Sequence, residues 1–236
     1  MARPSEGFPL DPWRLLDAAL DGPLHPGGAE ATAALLDRAG VDGTTRLLDV
    51  GCGAGDALAL ARDRGAEAVG LDRSPSGRGA VRGDLTALPF ADGSVDVVLG
   101  ECVLCLSPDL DRTLSEVARV LGPEGRLAIS DVVLDGSLPD LPPPIEGLLC
   151  LDAADRRSRL HGALADAGFA VEDARDHRED LLAMRERIAE AVDGQRLAAL
   201  LGGGNDEDWL RDLEDAVEAG RIGYASVVAT PRGADG

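Results

Sequence analysis

The sequence predicts an α/β protein on a doubly wound, mostly parallel sheet, and three observations predict it. Short apolar runs alternate with stretches whose apolar residues recur at helical spacing. One strand-to-helix junction is a glycine loop, Gly51-Cys52-Gly53-Ala54-Gly55, where the chain turns tightly and exposes main-chain N–H groups. Acids stand where later strands end, at Asp72 and Glu101, and ligands of doubly wound sheets gather at that edge.

Each element follows in order. Residues 1–27 are rich in Pro and Gly and read as an irregular arm with a short helical piece around Trp13 to Leu20. Ala31, Ala34 and Leu35 give Gly28 to Ala39 a helical face, which Gly40 ends. Arg46 to Val50 is a strand, and a helix runs from the glycine loop to Arg64. Ala66 to Leu71 is a buried strand ending at Asp72. Between Asp72 and Asp84 the chain is too short for a full helix and strand, so a loop or single turn makes that crossover. Val95 to Leu99 is the next strand. Ser107-Pro108-Asp109 starts a helix with a cap, a proline and an acid at its positive end. Leu110, Leu114, Val117, Ala118 and Leu121 mark its apolar face. Gly122 to Gly125 is a turn, Arg126 to Val133 a strand, Asp152 to Ala167 a helix and Phe169 to Glu172 a strand. Glu179 to Leu201 and Asp206 to Ala219 are helical, and Ile222 to Thr230 is the last strand. The expected organisation is thus an arm (1–27) and one domain (28–236) with a helical insertion at about 178–221.

Composition narrows the function. The 43 acidic residues outnumber the 23 basic ones, all of them Arg, for a net charge of −20. Duplex binding depends on neutralising phosphates, so nucleic acid is not an expected partner. Neither is an anionic membrane surface. No apolar run reaches the ~18 residues of a membrane span. The first residues lack the apolar core of a signal peptide, so the expected location is cytoplasmic. The acidity fits solubility or adaptation to salt, and the partner expected is a small molecule.

The loop, with Asp49 inside the preceding strand, Asp72, Asp84-Leu85 and the Leu88-Pro89-Phe90 segment, resembles the class I S-adenosylmethionine-dependent methyltransferases. The resemblance covers roughly residues 28–175 and the last strand. It implies a Rossmann-like seven-stranded sheet whose last strand is reversed, and S-adenosylmethionine as cofactor. It places Asp49, Gly51, Gly53 and Gly55 toward the methionine part, Asp72 at the ribose, Asp84 and Leu85 at the adenine and Glu101 beside the cofactor, with Cys52 and Arg73 also among the cofactor-binding residues. A dinucleotide dehydrogenase also uses glycines and a ribose acid, but this glycine spacing fits the methyltransferase loop better. A non-catalytic protein that holds the cofactor or a metalloid is a further alternative.

The acceptor is the next question. Glu101-Cys102-Val103-Leu104-Cys105-Leu106, with Cys150 further along, resembles the arsenite methyltransferases. That resemblance implies Cys102 and Cys150 as ligands of trivalent arsenic, whose lone pair attacks the methyl sulfonium. Cys105 is a third candidate thiolate for such a metalloid. Soft thiolates suit soft centres. The family's further cysteine ahead of the glycine loop has no counterpart in residues 1–46. The alternative is O-, N- or C-methylation of a small organic metabolite, with His25 or His177 as general base. His161 lies within a helix and reads as surface. The thiols also have a plain reading as small buried hydrophobes, Cys52 above all. A monomer and a homodimer are equally compatible with the sequence.

Overall fold

Strands in chain order are β1 (Arg46–Val50), β2 (Glu67–Asp72), β3 (Ala80–Arg82), β4 (Val95–Glu101), β5 (Leu121–Leu134), β6 (Asp155–Arg156), β7 (Phe169–Asp176) and β8 (Ile222–Pro231). Helices are α1 (Gly28–Arg38), α2 (Asp56–Asp63), α3 (Leu110–Val120), α4 (Arg157–Asp166), α5 (Arg178–Ala191) and α6 (Asp208–Glu218). The computed structural model describes residues 23–137, 155–191 and 208–232. The expected helical piece at Trp13 to Leu20 lies outside these residues, as do Cys150 and the middle of the insertion.

The main sheet runs β3-β2-β1-β4-β5-β8-β7, and two-residue β6 pairs with β5 off this path. Neighbours from β3 to β5 are parallel. β8 is antiparallel to both β5 and β7, the expected reversal. Strand order changes direction between β1 and β4, so a crevice opens at their carboxyl ends. Asp49 ends one side of it and Glu101 the other.

Alternation sorts the strand residues onto two faces. Leu48, Val50, Val98, Ile129 and Val227 pack with Leu114, Val117 and Val120 of α3 and Leu160 and Leu164 of α4. Leu47, Val97, Leu99, Ala128 and Val228 pack with Leu35 and Leu36 of α1 and Leu58 and Ala61 of α2. Only 3% of the chain is aromatic, so aliphatics fill both layers; among the described residues Phe169 and Tyr224, each 1% exposed, are the largest fully buried side chains.

Several expectations need correction. The Asp72–Asp84 crossover is a loop, but three residues suffice for β3 to pair in parallel with β2. Asp109, not Ser107, caps α3: its carboxylate accepts from the Arg112 N–H, while Ser107 Oγ accepts from the Asp109 N–H. The Gly122–Gly125 turn is a bulge inside one long strand, since Val95 pairs with Leu121 and Val97 with Arg126. α4 starts at Arg157, because Asp155 and Arg156 extend the sheet beside β5. β7 runs on to Asp176 through a bulge between Val171 and Asp173.

The insertion packs on the reversed strand, with both α5 and α6 against β8. Its α5 also reaches the arm, where Arg187 Nη2 donates to the Pro23 carbonyl at 2.7 Å. None of the helices among the described residues is long and apolar enough to cross a membrane.

Leu99 is fully buried in the α1-side layer. Leu99→Ala should lower stability by about 2.5–5 kcal/mol through lost transfer energy and the cavity left behind. A shift of the urea midpoint at unchanged slope would show it, and a shift below about 1 kcal/mol would mean the layer repacks freely.

Candidate active site

The site is built on β1, β2, β4 and the turns after them. Gly51, Gly53 and Gly55 have φ of +77°, +47° and +91°, a region costly for side-chain-bearing residues. At Gly51 the requirement is double, because a Cβ would lie 2.4 Å from Val103 Cγ2. At Gly53 nothing lies within 4 Å of such an atom, so the loop faces open space there. Asp72 ties the loop down: Oδ2 accepts from the Gly53 N–H at 3.1 Å and Oδ1 from the Ser74 N–H at 2.7 Å. Helix α2 then starts at the end of the loop with Gly55 as its cap residue and no side-chain cap.

Three carboxylates meet around this loop. Asp49 is 4% exposed, and its carboxyl is pushed up to about 8, first by burial, then by the charges of Glu101 and Asp72. Glu101 is held from several sides. Its Oε2 accepts from Thr32 Oγ1 at 2.9 Å and lies 3.5 Å from His25 Nε2, and its Oε1 accepts from Ser130 Oγ at 3.3 Å. His25 is itself buried, with Nδ1 3.0 Å from the Pro26 carbonyl. Its Nε2 faces Thr32 Oγ1 at 3.1 Å as well as Glu101.

The remaining candidates are placed as follows. Cys52 is buried against Gly70, and burial with the nearby Asp49 and Asp72 charges pushes its thiol up to about 12. It packs the loop and is no nucleophile. Arg73 is exposed beyond Asp72. Asp84 Oδ1 takes both the N–H and the hydroxyl of Thr86, which hold its carboxyl below the usual range. Leu85 packs against the core.

Cys102 has φ +50°, the one positive value outside glycine among the described residues. Its N–H donates to the Ser130 carbonyl and its thiol to Tyr224 Oη at 3.6 Å. The Cys105 N–H instead meets Asp131 Oδ2 at 3.2 Å. Burial pushes Asp131 up to about 6, opposed by the Cys105 and Val132 N–H groups. The Cys105 thiol bonds to Asp131 as well, so the two thiols of the C-x-x-C stretch face different partners. Among the described residues no group of three or more His, Cys, Asp or Glu is placed to hold a metal ion.

His177 stands just before α5 and has its own partners. Its Nδ1 meets Asp180 Oδ2 at 3.0 Å and its Nε2 meets Ser226 Oγ at 2.7 Å. That is the order of a hydrolytic triad, yet Ser226 is 1% exposed within β8 and its Oγ already accepts from Arg38 Nη1. The cluster fastens α5 to the sheet. His161 is exposed on α4, as expected. The sequence reading missed Thr32, Ser130, Asp131 and Tyr224. A signal was present: Ser130-Asp131 interrupts the apolar run Leu127 to Val133.

Comparisons with known proteins fit this geometry. Residues 48–129 match the family model described as a methyltransferase domain. The chain is 37% identical to "Methyltransferase GfsG" of Streptomyces halstedii, over 56% of this chain and 54% of that one. It is 36% identical to an "Arsenite methyltransferase" of Halobacterium salinarum, over 53% of this chain and 38% of that one. With "O-methyltransferase cnsE" of Penicillium expansum it shares 30% identity over 78% of this chain and 71% of that one. The chain thus spans about half or less of the length of the first two relatives. Its fold superimposes on the "[4+2]-Cyclase SpnF" at TM-score 0.72 and 25% identity, covering 93% of each chain. It also superimposes on Haemonchus contortus phosphoethanolamine N-methyltransferase 2 in complex with S-adenosyl-L-methionine, at TM-score 0.72 and 19% identity, over 90% of this chain and 54% of that one.

Asp49 gives a stability test with a definite sign. Its folded value of about 8 lies above the ordinary 3.8, so protonation favours the folded state. That contribution is complete below pH about 4 and is lost as pH rises toward 8. Asp49→Asn should therefore gain melting temperature on the wild type between pH 4 and 8 and hold the gain above 8. A gap that does not change with pH would show that Asp49 is not the buried acid described.

Proposed function

The chain belongs to the S-adenosylmethionine-dependent methyltransferases, and on that footing we propose that it moves the cofactor's methyl group to a small-molecule acceptor at the carboxyl edge of the sheet. The observation that carries this is the meeting of Asp49, Asp72 and Glu101 around a glycine loop open at Gly53.

The residues present fit the cofactor. The open loop gives its chain room beside main-chain N–H groups. The clustered acids suit a ligand with two positive charges, an ammonium and a sulfonium. Asp72 spends one acceptor site of each oxygen on Gly53 and Ser74, and a carboxylate has about four, so it can still take two hydroxyl donors. When bound, S-adenosylmethionine supplies a methyl group activated by its sulfonium. Asp49 and Glu101 would favour the cation, Gly51 to Gly55 would cradle it and Asp72 would hold its ribose. Positioning of this kind supplies much of the catalysis of a transfer reaction.

For the acceptor, the geometry best supports an organic metabolite whose hydroxyl, amine or acidic carbon must lose a proton. His25 is buried with Nε2 3.5 Å from Glu101 Oε2, so an imidazole and a carboxylate stand together beside the glycine loop. The O-methyltransferase that matches most of this chain supports the same class. A second reading, thiol-bound trivalent arsenic, is favoured by Cys102 in its left-handed turn beside Glu101 and by the arsenite methyltransferase relatives. Cys102 and Cys150 would be its ligands, with Cys105 turned toward Asp131.

Cofactor binding tests the reaction class without an acceptor. Taking up the cation favours ionised Asp49, so binding should release a proton and strengthen up to about tenfold per pH unit from 6 toward 8. Asp49→Asn should bind weakly and without that slope. No binding by calorimetry at any pH would sink the proposal. Incubation with arsenite and a thiol, read as S-adenosylhomocysteine and methylated arsenic, separates the acceptors. Product lost in Cys102→Ser supports arsenic. No arsenic product, with turnover on an organic panel that falls at least about tenfold in His25→Gln, supports the organic class.

A further inference from the structure

Tyr224 is the only tyrosine of the chain, and it is 1% exposed on the reversed strand β8. A phenol buried so completely must have its hydroxyl bonded, because an unpaired polar group in the interior is costly. Here Oη donates to Ser130 Oγ at 2.7 Å, and Ser130 Oγ donates in turn to Glu101 Oε1 at 3.3 Å. The direction of the chain is fixed from its end. An ionised carboxylate only accepts, each hydroxyl has one hydrogen, and so the Tyr224 lone pairs are left to accept the Cys102 thiol at 3.6 Å.

These contacts cross three neighbouring strands. Glu101 ends β4 opposite Ser130 of β5, and Tyr224 of β8 pairs with Val132 of the same β5. On the other side Thr32 of α1 and His25 of the arm hold Oε2. Both oxygens of Glu101 therefore have a fixed direction, and the charge so fixed is felt by Asp49 across the crevice. Hydroxyl dipoles fix the carboxylate without neutralising it, which is what a site for a cationic ligand requires.

We infer that Tyr224, acting through Ser130, is a positioning residue that sets the Glu101 carboxylate for the cofactor. This rests on the cofactor reading given above. The ring also stands edge-on to His177, with centroids 6.2 Å apart, so the root of the insertion packs directly on the same side chain.

The test is S-adenosylmethionine affinity of the full chain by calorimetry. Tyr224→Phe and Ser130→Ala should each weaken binding about three- to tenfold, the scale of one misdirected charge-assisted hydrogen bond. Ser130→Thr, which restores the hydroxyl, should recover most of that loss. In a Glu101→Gln background, Tyr224→Phe should add less than about twofold, because both changes act through one carboxylate. If Tyr224→Phe fails to fold, the Ser130 pair and its combination with Glu101→Gln carry the same test. Full affinity in Tyr224→Phe, or a loss that adds to that of Glu101→Gln, would overturn the inference. A wild-type chain that does not bind the cofactor would sink the reading beneath it, and the inference with it.

Discussion

Carboxylates that crowd together repel one another, and this protein gathers three of them where its sheet reverses strand order. Asp49, one residue short of the end of β1, and Glu101, at the end of β4, flank the crevice, and Asp72 closes the glycine loop from the next strand over. The neighbours that hold them are mostly hydroxyls and main-chain N–H groups, not guanidinium groups. Such crowding raises the cost of negative charge, and a cation placed among the three would lower it. The surrounding architecture leaves room for one. The loop leaves open space at Gly53, α1 brings Thr32 to Glu101, and the arm brings His25 to the same oxygen.

Local signals in the chain were enough to read most of the fold. Alternating apolar runs and helical faces identify β1, β2, β4, α1 and α3, and the strands and helices of the Rossmann-like sheet follow. The glycine loop was legible for the same reason, because its glycines stand in one short stretch between a strand and a helix. What stayed hidden was set by pairing between distant segments. β3 forms because β2 offers an edge to only three residues, and Gly122 to Gly125 bulges because β4 and β5 pair on both sides of it. No local pattern announces either. Tyr224 and Ser130 were invisible as site residues because their chemistry depends on a register between β5 and β8 across almost a hundred positions.

The histidines show the limit of residue type as a guide. His25 and His177 are both candidate bases in sequence, one in the arm and the other at the end of a strand, where the neighbouring Asp176 slightly favours it. The structure gives them different work. His25 is buried against Glu101, whereas His177 is occupied by Asp180 and a serine closed off from solvent. The same cluster explains why the insertion leaves from this point. With Arg38 reaching Ser226 and Asp173, it fastens α5 to the last two strands, and α5 in turn holds the arm through Arg187 and Pro23.

Val103 packs directly on Gly51, leaving no room for a Cβ there. The residue that follows Cys102 is therefore also a wall of the glycine loop. A larger side chain at position 103 would push on the loop, and a smaller one would loosen it. The turn that carries Cys102 and the glycine loop are thus mechanically one unit at this point, and a substitution at position 103 must satisfy both at once.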